Sequence, residues 1–168
     1  MASRSKKLER VTNANKLIED NTNNTVIYTD GSSRGDNSFA GYGVYITRPG
    51  LTDVTISEFI GEGTNNVAEL MAIKSALEWV SLSTSGEVLG AVRILTDSKY
   101  AVGVLDKGHT PKLNIDLVTY IRALLVKVRE MYRCTLHWVP AHSGIEGNEI
   151  ADALATDPVV DAIRYETN

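Results

Sequence analysis

The sequence is poor in cysteine, in long apolar runs and in net positive charge, and each shortage closes off a class of protein. One cysteine, Cys134, among 168 residues excludes an intramolecular disulfide and a multi-cysteine zinc site. No stretch approaches the roughly 18 consecutive apolar residues that a membrane-spanning helix needs. The N-terminal residues lack the apolar centre of a secretory signal. The expectation is a soluble, intracellular protein, cytoplasmic or nuclear, not secreted and with no membrane partner. Lys and Arg total 17 against 21 Asp and Glu, giving a net charge of −4 and a pI near 5.4. Bulk charge therefore does not announce a nucleic-acid binder. Internal repeats and low-complexity tracts are missing too. What remains is ordinary globular usage, 43% apolar and 23% charged, in a length that fits one domain with some extra at an end.

Residues 1–24, MASRSKKLERVTNANKLIEDNTNN, differ from the rest. Lys6, Lys7, Arg10 and Lys16 are set against Glu9, Glu19 and Asp20, and Leu8, Val11 and Leu17 give one weak helical face. The segment reads as a polar appendage, mobile or loosely docked, with TNN as linker. From Thr25 the periodicity predicts strands over 25–30, 40–47 and 54–61, joined by turn-rich separators as an antiparallel meander. The Asp-Gly pair within TDGS, Thr29 to Ser32, is by itself a common turn signal. A helical period follows in NNVAELMAIKSALEWVSL, capped by Asn65 or Asn66, with Val67, Leu70, Met71, Ala72, Leu77 and Val80 at buriable spacings. A strand over 92–97, a short helix SKYAVGVLD, a helix over 115–131 and a strand over 134–139 come next. A final helix, GNEIADALA, is expected to stop near Asp157-Pro158, because proline disfavours helix in the residue before it. The domain is thus expected over 25–157, with 158–168 as a C-terminal tail. The order β-β-β-α-β-α-α-β-α predicts an α/β fold, a five-stranded mixed sheet flanked by helices.

Two strands end alike, TDG at 29–31 and TDS at 96–98. If they are neighbours, Asp30 and Asp97 lie side by side at the edge where open α/β sheets bind ligands. Glu69 sits just past the start of a helix and Asp152 within the last one. Each has an ordinary structural use: Asp97 as a helix cap, Glu69 at a helix N-terminus, Asp152 on a solvated face.

Their order is more specific than any one of them. Residues 25–156 resemble ribonuclease H of the type whose catalytic residues run Asp–Glu–Asp–Asp. The matching stretches are YTDGSSRGDNSFAGYGVYI, TNNVAELMAIKSAL, ILTDSKYAV and HWVPAHSGIEGNEIADALA. The loop around His142 looks like that of ribonuclease H domains attached to retroelement reverse transcriptases, whereas GYGVYITRPG is similar to cellular eukaryotic relatives. The resemblance implies Asp30, Glu69, Asp97 and Asp152 as catalytic and metal-binding residues, holding two Mg²⁺ ions, or Mn²⁺, with Asp30 between them. Hard oxygen donors without a Cys or His cluster suit such ions rather than zinc. His142 would assist water activation or product release, since imidazole suits a proton shuttle near neutral pH. Glu149 matches a residue near the product-side metal. Gly31, Ser32, Thr64, Asn65, Asn66 and Asn148 would contact an RNA/DNA hybrid, Thr64 through a DNA phosphate and Gly31 by close backbone approach. His137 reads as structural and His109 as a loop residue.

The activity implied is endonucleolytic hydrolysis of the RNA strand of RNA/DNA hybrids by two-metal-ion catalysis, leaving 5′-phosphate and 3′-hydroxyl ends. A binding module of the same fold and a DNA-acting nuclease are the alternatives. A monomer is expected unless the chain is a piece of a polyprotein. Only KGHTPKL lies where bacterial relatives carry a long basic handle, which implies weak, salt-sensitive binding.

Overall fold

The computed structural model describes residues 2–19 and 23–168. Thr25–Arg34 (β1), Phe39–Thr47 (β2) and Val54–Glu62 (β3) form the antiparallel meander. Val92–Thr96 (β4) and Cys134–Trp138 (β5) continue the sheet in parallel on the other side of β1, in the order β3-β2-β1-β4-β5. Among the described residues five helices flank it: Ala2–Glu19 (α1), Asn65–Leu82 (α2), Lys99–Asp106 (α3), Ile115–Met131 (α4) and Glu146–Thr167 (α5). Among the described residues no helix is long and apolar enough to cross a membrane.

Alternation along the strands divides the core between the two faces of the sheet. Ile27, Val44, Ile46, Val92 and Ile94 pack with Leu70, Ile73 and Leu77 of α2 and with Val118, Ile121 and Val128 of α4. Each such fully buried aliphatic side chain is worth roughly 1.5–3 kcal/mol. Val26, Tyr28 and Leu95 point the other way, onto Ala14 of α1, Ala151 of α5, Val139 and Ile145. A Cβ on Gly43 would collide with the α5 backbone at Ala151 and Ala155, so glycine there lets the helix lie directly on β2.

Local chemistry differs from expectation at five places. Asp30-Gly31 is no turn: β1 runs on, pairing Gly31 with Tyr42 and Ser33 with Ala40, and the chain reverses at Gly35–Ser38. Thr64, not Asn65 or Asn66, caps α2, its hydroxyl accepting from the Val67 amide at 3.2 Å. Val67 and Met71 are only half-buried, while Ile73 and Ala76 join the core in their place. Ser98, not Asp97, caps α3, accepting from the Ala101 amide at 3.0 Å and leaving the aspartate free.

The fifth is α5, which does not stop at Pro158. A proline there removes the amide that would bond the Leu154 carbonyl. Ser57 of β3 supplies the missing donor, its hydroxyl 2.6 Å from that carbonyl, and Val159 beyond the proline is fully buried. The tail is therefore the last stretch of a helix lying across the sheet.

The N-terminal segment is helical as α1. Ala14 is buried and Ile18 packs on the same cluster, whereas Leu8 is 67% exposed. The side chain of Leu17 and residues 20–22, with Asp20 and the start of TNN, lie outside the described residues.

Candidate active site

The pairing of β1 with β4 places Thr29 opposite Thr96, so the next residues, Asp30 and Asp97, stand together at the C-terminal ends of two parallel strands. Glu69 comes to them because α2 lies directly on β1. A Cβ on Gly31 would collide with the backbone of Ala68 and Glu69. That contact gives glycine at 31 a structural reason, because its missing side chain lets the helix approach, and Gly31 also lines the pocket beside the acids. Carboxylate oxygens of Asp30, Glu69 and Asp97 lie within 4.8 Å of one another.

Asp152, half-buried on the second turn of α5, completes the group from the side of Asp30 and forms hydrogen-bonding and charge interactions with it. It also belongs to a second trio, with His142 and Glu149, whose ligand atoms again lie within 4.8 Å. His142 is exposed, its Nδ1 3.9 Å from Glu149 Oε2. Its φ of 48° is in the left-handed region, where a residue with a Cβ is strained.

The electrostatics are those of charges forced together out of water. Asp30 and Glu69 are only 4% and 6% exposed. Burial, and then the charge of Asp97, raises the Asp30 carboxyl from 3.8 to about 8. Burial and then Asp30 push Glu69 the same way, and Asp97 is also raised, chiefly by burial. Glu69 Oε2 is buried with no hydrogen-bond partner. Three carboxylates that cannot all ionise, one with an orphaned oxygen, fit a divalent cation, whose charge reverses the repulsion. The donor set, all oxygen with no thiolate, belongs to the hard-cation class.

The acids open into a pocket of about 500 Å³ lined also by Gly31, Ser32, Asn65, Asn66 and His142. Two expected substrate contacts lie elsewhere. Asn148 is 2% exposed, its Oδ1 buried without a partner, and it does not line the pocket. Thr64 lines a neighbouring cavity on the α3 side, its hydroxyl spent on the α2 cap. Ser33, Arg34, Lys99 and Tyr100 line the pocket without having been singled out in the sequence. Lys99 was legible in principle, because the helix it opens begins two residues after Asp97. His137 is half-buried, its Nε2 2.8 Å from Thr135 Oγ1, and burial lowers its pKa. The His109 ring rests against Gly103 of α3. His109 is exposed in the loop after α3, and neither histidine lines the acidic pocket.

The same order of acids on the same order of elements defines a known group of proteins. A family model described as RNase H matches residues 22–159. The chain belongs to the ribonuclease H family. It is 34% identical over 146 residues to a ribonuclease H from Ruthia magnifica subsp. Calyptogena magnifica, covering 79% of this chain and 93% of that protein. It is 35% identical over 155 residues to a ribonuclease H of Saccharomyces cerevisiae, covering 77% of this chain but only 44% of the yeast protein. Among solved structures it is similar to LC11-RNase H1, isolated from compost by a metagenomic approach. The TM-score is 0.69 at 29% identity, over 84% of this chain and 99% of that one. LC11-RNase H1 in complex with an RNA/DNA hybrid gives a TM-score of 0.64 at 28% identity, over 83% and 99%. Membership makes the chain a ribonuclease of the hydrolase class.

Proposed function

We propose that this chain cleaves the RNA strand of RNA/DNA hybrids at the acidic pocket, leaving 5′-phosphate and 3′-hydroxyl ends. The observation that carries the reading is the meeting of Asp30, Glu69 and Asp97 within 4.8 Å, with Asp152 beside Asp30, at one end of the sheet. The hybrid-bound structure of LC11-RNase H1 supports the choice of substrate.

In this reading Asp30, Glu69, Asp97 and Asp152 would hold two divalent cations, Mg²⁺ with Mn²⁺ as a substitute, which would supply charge stabilisation for the attacking and leaving oxygens of an in-line phosphodiester displacement. The rest falls to the chain's own residues. Burial of Asp30 and Glu69 in the interior fixes their geometry in advance. His142, exposed at the rim beside Glu149 and Asp152, takes and returns a proton. Asn65 and Asn66 are exposed at the pocket and offer amides to the 2′-hydroxyl that separates RNA from DNA. In this reading the chain acts as a monomer unless it is a piece of a polyprotein.

Incubation of labelled RNA/DNA hybrid, double-stranded RNA and double-stranded DNA with Mg²⁺ tests this directly. Cleavage of the RNA strand of the hybrid alone is expected, and it disappears in Asp97→Asn. Cleavage of DNA, or binding of hybrid without cleavage, overturns the assignment in favour of a DNA nuclease or a binding module.

A further inference from the structure

An acidic protein that works on a polyanion with a cluster of carboxylates needs cations placed where the backbone of the substrate runs. The net charge of −4 supplies none in bulk. The structure concentrates them in one place. Beside the acidic pocket, and sharing Lys99 and Ala141 with it, lies a second groove of about 550 Å³. Four of its eight lining residues are cationic and none is acidic: Lys6, Lys7 and Arg10 from α1, and Lys99 from α3. Trp138, at the end of β5, forms part of the floor. Among the described residues none of these four cations has a carboxylate partner.

Apolar packing does not account for where the front half of α1 lies. Its buried contacts come from Ala14 and Ile18, toward its C-terminal end, while Leu8 faces solvent. The front half is positioned instead by Arg10, whose guanidinium lies 4.7 Å from the centre of the Trp138 ring. The Lys99 ammonium lies at the same 4.7 Å distance from that ring. One indole thus gathers cations from two helices far apart in the chain, α1 and α3, beside the acidic pocket. Lys6 and Arg10 are one turn apart, about 6 Å along the helix axis, a spacing suited to neighbouring phosphates of one strand.

We propose that Lys6, Lys7, Arg10 and Lys99 form a phosphate-binding groove on the β5 side of the acids, through which α1 grips the backbone of the hybrid. The inference rests on the ribonuclease reading for its substrate. Sequence readout has no part in it, because the groove offers charge and no pattern of donors and acceptors for bases.

Steady-state cleavage of labelled hybrid, and anisotropy of the same hybrid on the Asp97→Asn chain, measured across a range of salt, test the groove. The comparison is between the full chain, Lys6→Ala/Lys7→Ala, and Lys16→Ala/Lys127→Ala, which removes equal charge from residues that do not line the groove. Removing Lys6 and Lys7 is expected to raise KM and Kd about tenfold and to flatten the log Kd against log salt slope by about 1.4–1.8, at roughly 0.7–0.9 per phosphate contact. The value of kcat is expected to fall far less than KM rises, and circular dichroism reports whether α1 remains folded. An unchanged KM and slope, or an equal loss in Lys16→Ala/Lys127→Ala, overturns the groove. Failure of the ribonuclease reading shows separately, as absence of hybrid cleavage by the unmodified chain.

Discussion

The indole N–H of Trp138 donates to the main-chain carbonyl of Asp97 at 3.0 Å, tying the end of β5 to the tip of β4 beside the acidic pocket. Asp97 follows the last residue of β4 in the sheet, and its side chain is not spent on capping α3. The Trp138 bond restrains its backbone. Trp138→Phe replaces the indole by a smaller aromatic face for Arg10 and Lys99 and removes the donor. It is expected to cost about 1 kcal/mol of stability and about tenfold in kcat, because small displacements of a positioning group are amplified in rate. Wild-type kcat and an unshifted Mg²⁺ dependence in Trp138→Phe would show that Asp97 is held some other way.

Asp30 carries the clearest pH signature. Its carboxyl is raised from 3.8 to about 8, by burial and then by Asp97. Between those values the folded state of the metal-free chain keeps a proton that the unfolded state releases. The stability that proton gives is present below pH ~4 and is lost as pH rises through ~8. In chelator, therefore, Tm falls from acid to mildly alkaline pH, and saturating Mg²⁺ flattens the trend. Asp30→Asn removes the ionisable group: metal-free Tm at pH ~8 rises by several degrees, at about 2–4 °C per kcal/mol for a chain of this size. Cleavage falls by about 10³-fold or more in the same variant, since several kcal/mol of charge stabilisation go with the ligand. Thermal scans with and without chelator check both parts, and a metal-free Tm that rises with pH contradicts the account.

Gly31 tests why the helix and the acids meet. A methyl group there has no space against the backbone of Ala68 and Glu69. Backbone cannot swing aside as a flexible side chain does. Gly31→Ala is expected to cost about 1–3 kcal/mol by overpacking and, by moving Glu69, to raise the Mg²⁺ concentration needed for half-maximal rate. If Gly31→Ala melts and cleaves like the parent, α2 is not held against β1 as described.

Much of this was legible in the sequence, and what was not has physical causes. The strand ends TDG and TDS placed Asp30 and Asp97 correctly because register follows from alternation. Gly31 misled, since Asp-Gly is a turn signal in isolation and only the tertiary contact with α2 shows why β1 runs through it. The burial of Asn148 was not legible, because which way a helix turns a residue depends on what the helix packs against. Lys6, Lys7 and Arg10 read only as part of a polar appendage, mobile or loosely docked, because Trp138, the partner that holds Arg10, is over a hundred residues away in the chain. The end of α5 was misplaced for a similar reason: proline is judged locally, and its remedy comes from another element.

That remedy can be measured. Ser57 donates to the Leu154 carbonyl, the acceptor orphaned by Pro158. Ser57→Ala leaves that acceptor without its donor, and a loss of about 1–2 kcal/mol is expected. In Ser57→Ala/Pro158→Ala the restored amide at 158 recovers part of it, so the two changes are not additive. Denaturant titrations of the two single variants and the double variant give the coupling. Strict additivity would mean the serine has no special tie to the proline.

His142 is the last point at which backbone and chemistry can be separated. It occupies the left-handed region at φ 48°, costly for any residue with a Cβ, and its imidazole stands at the rim near Glu149 and Asp152. His142→Ala removes the imidazole and keeps the strain, whereas His142→Gly removes both. Both variants are expected to lose rate, toward the lower end of the ~10²–10⁴-fold typical of a lost acid–base group. Only His142→Gly is expected to gain stability, by about 1 kcal/mol. Added imidazole should restore part of the rate in either variant, because the missing function is a proton carrier and the four acids are untouched. If His142→Gly is as active as the parent, the histidine is there for the loop and not for the reaction.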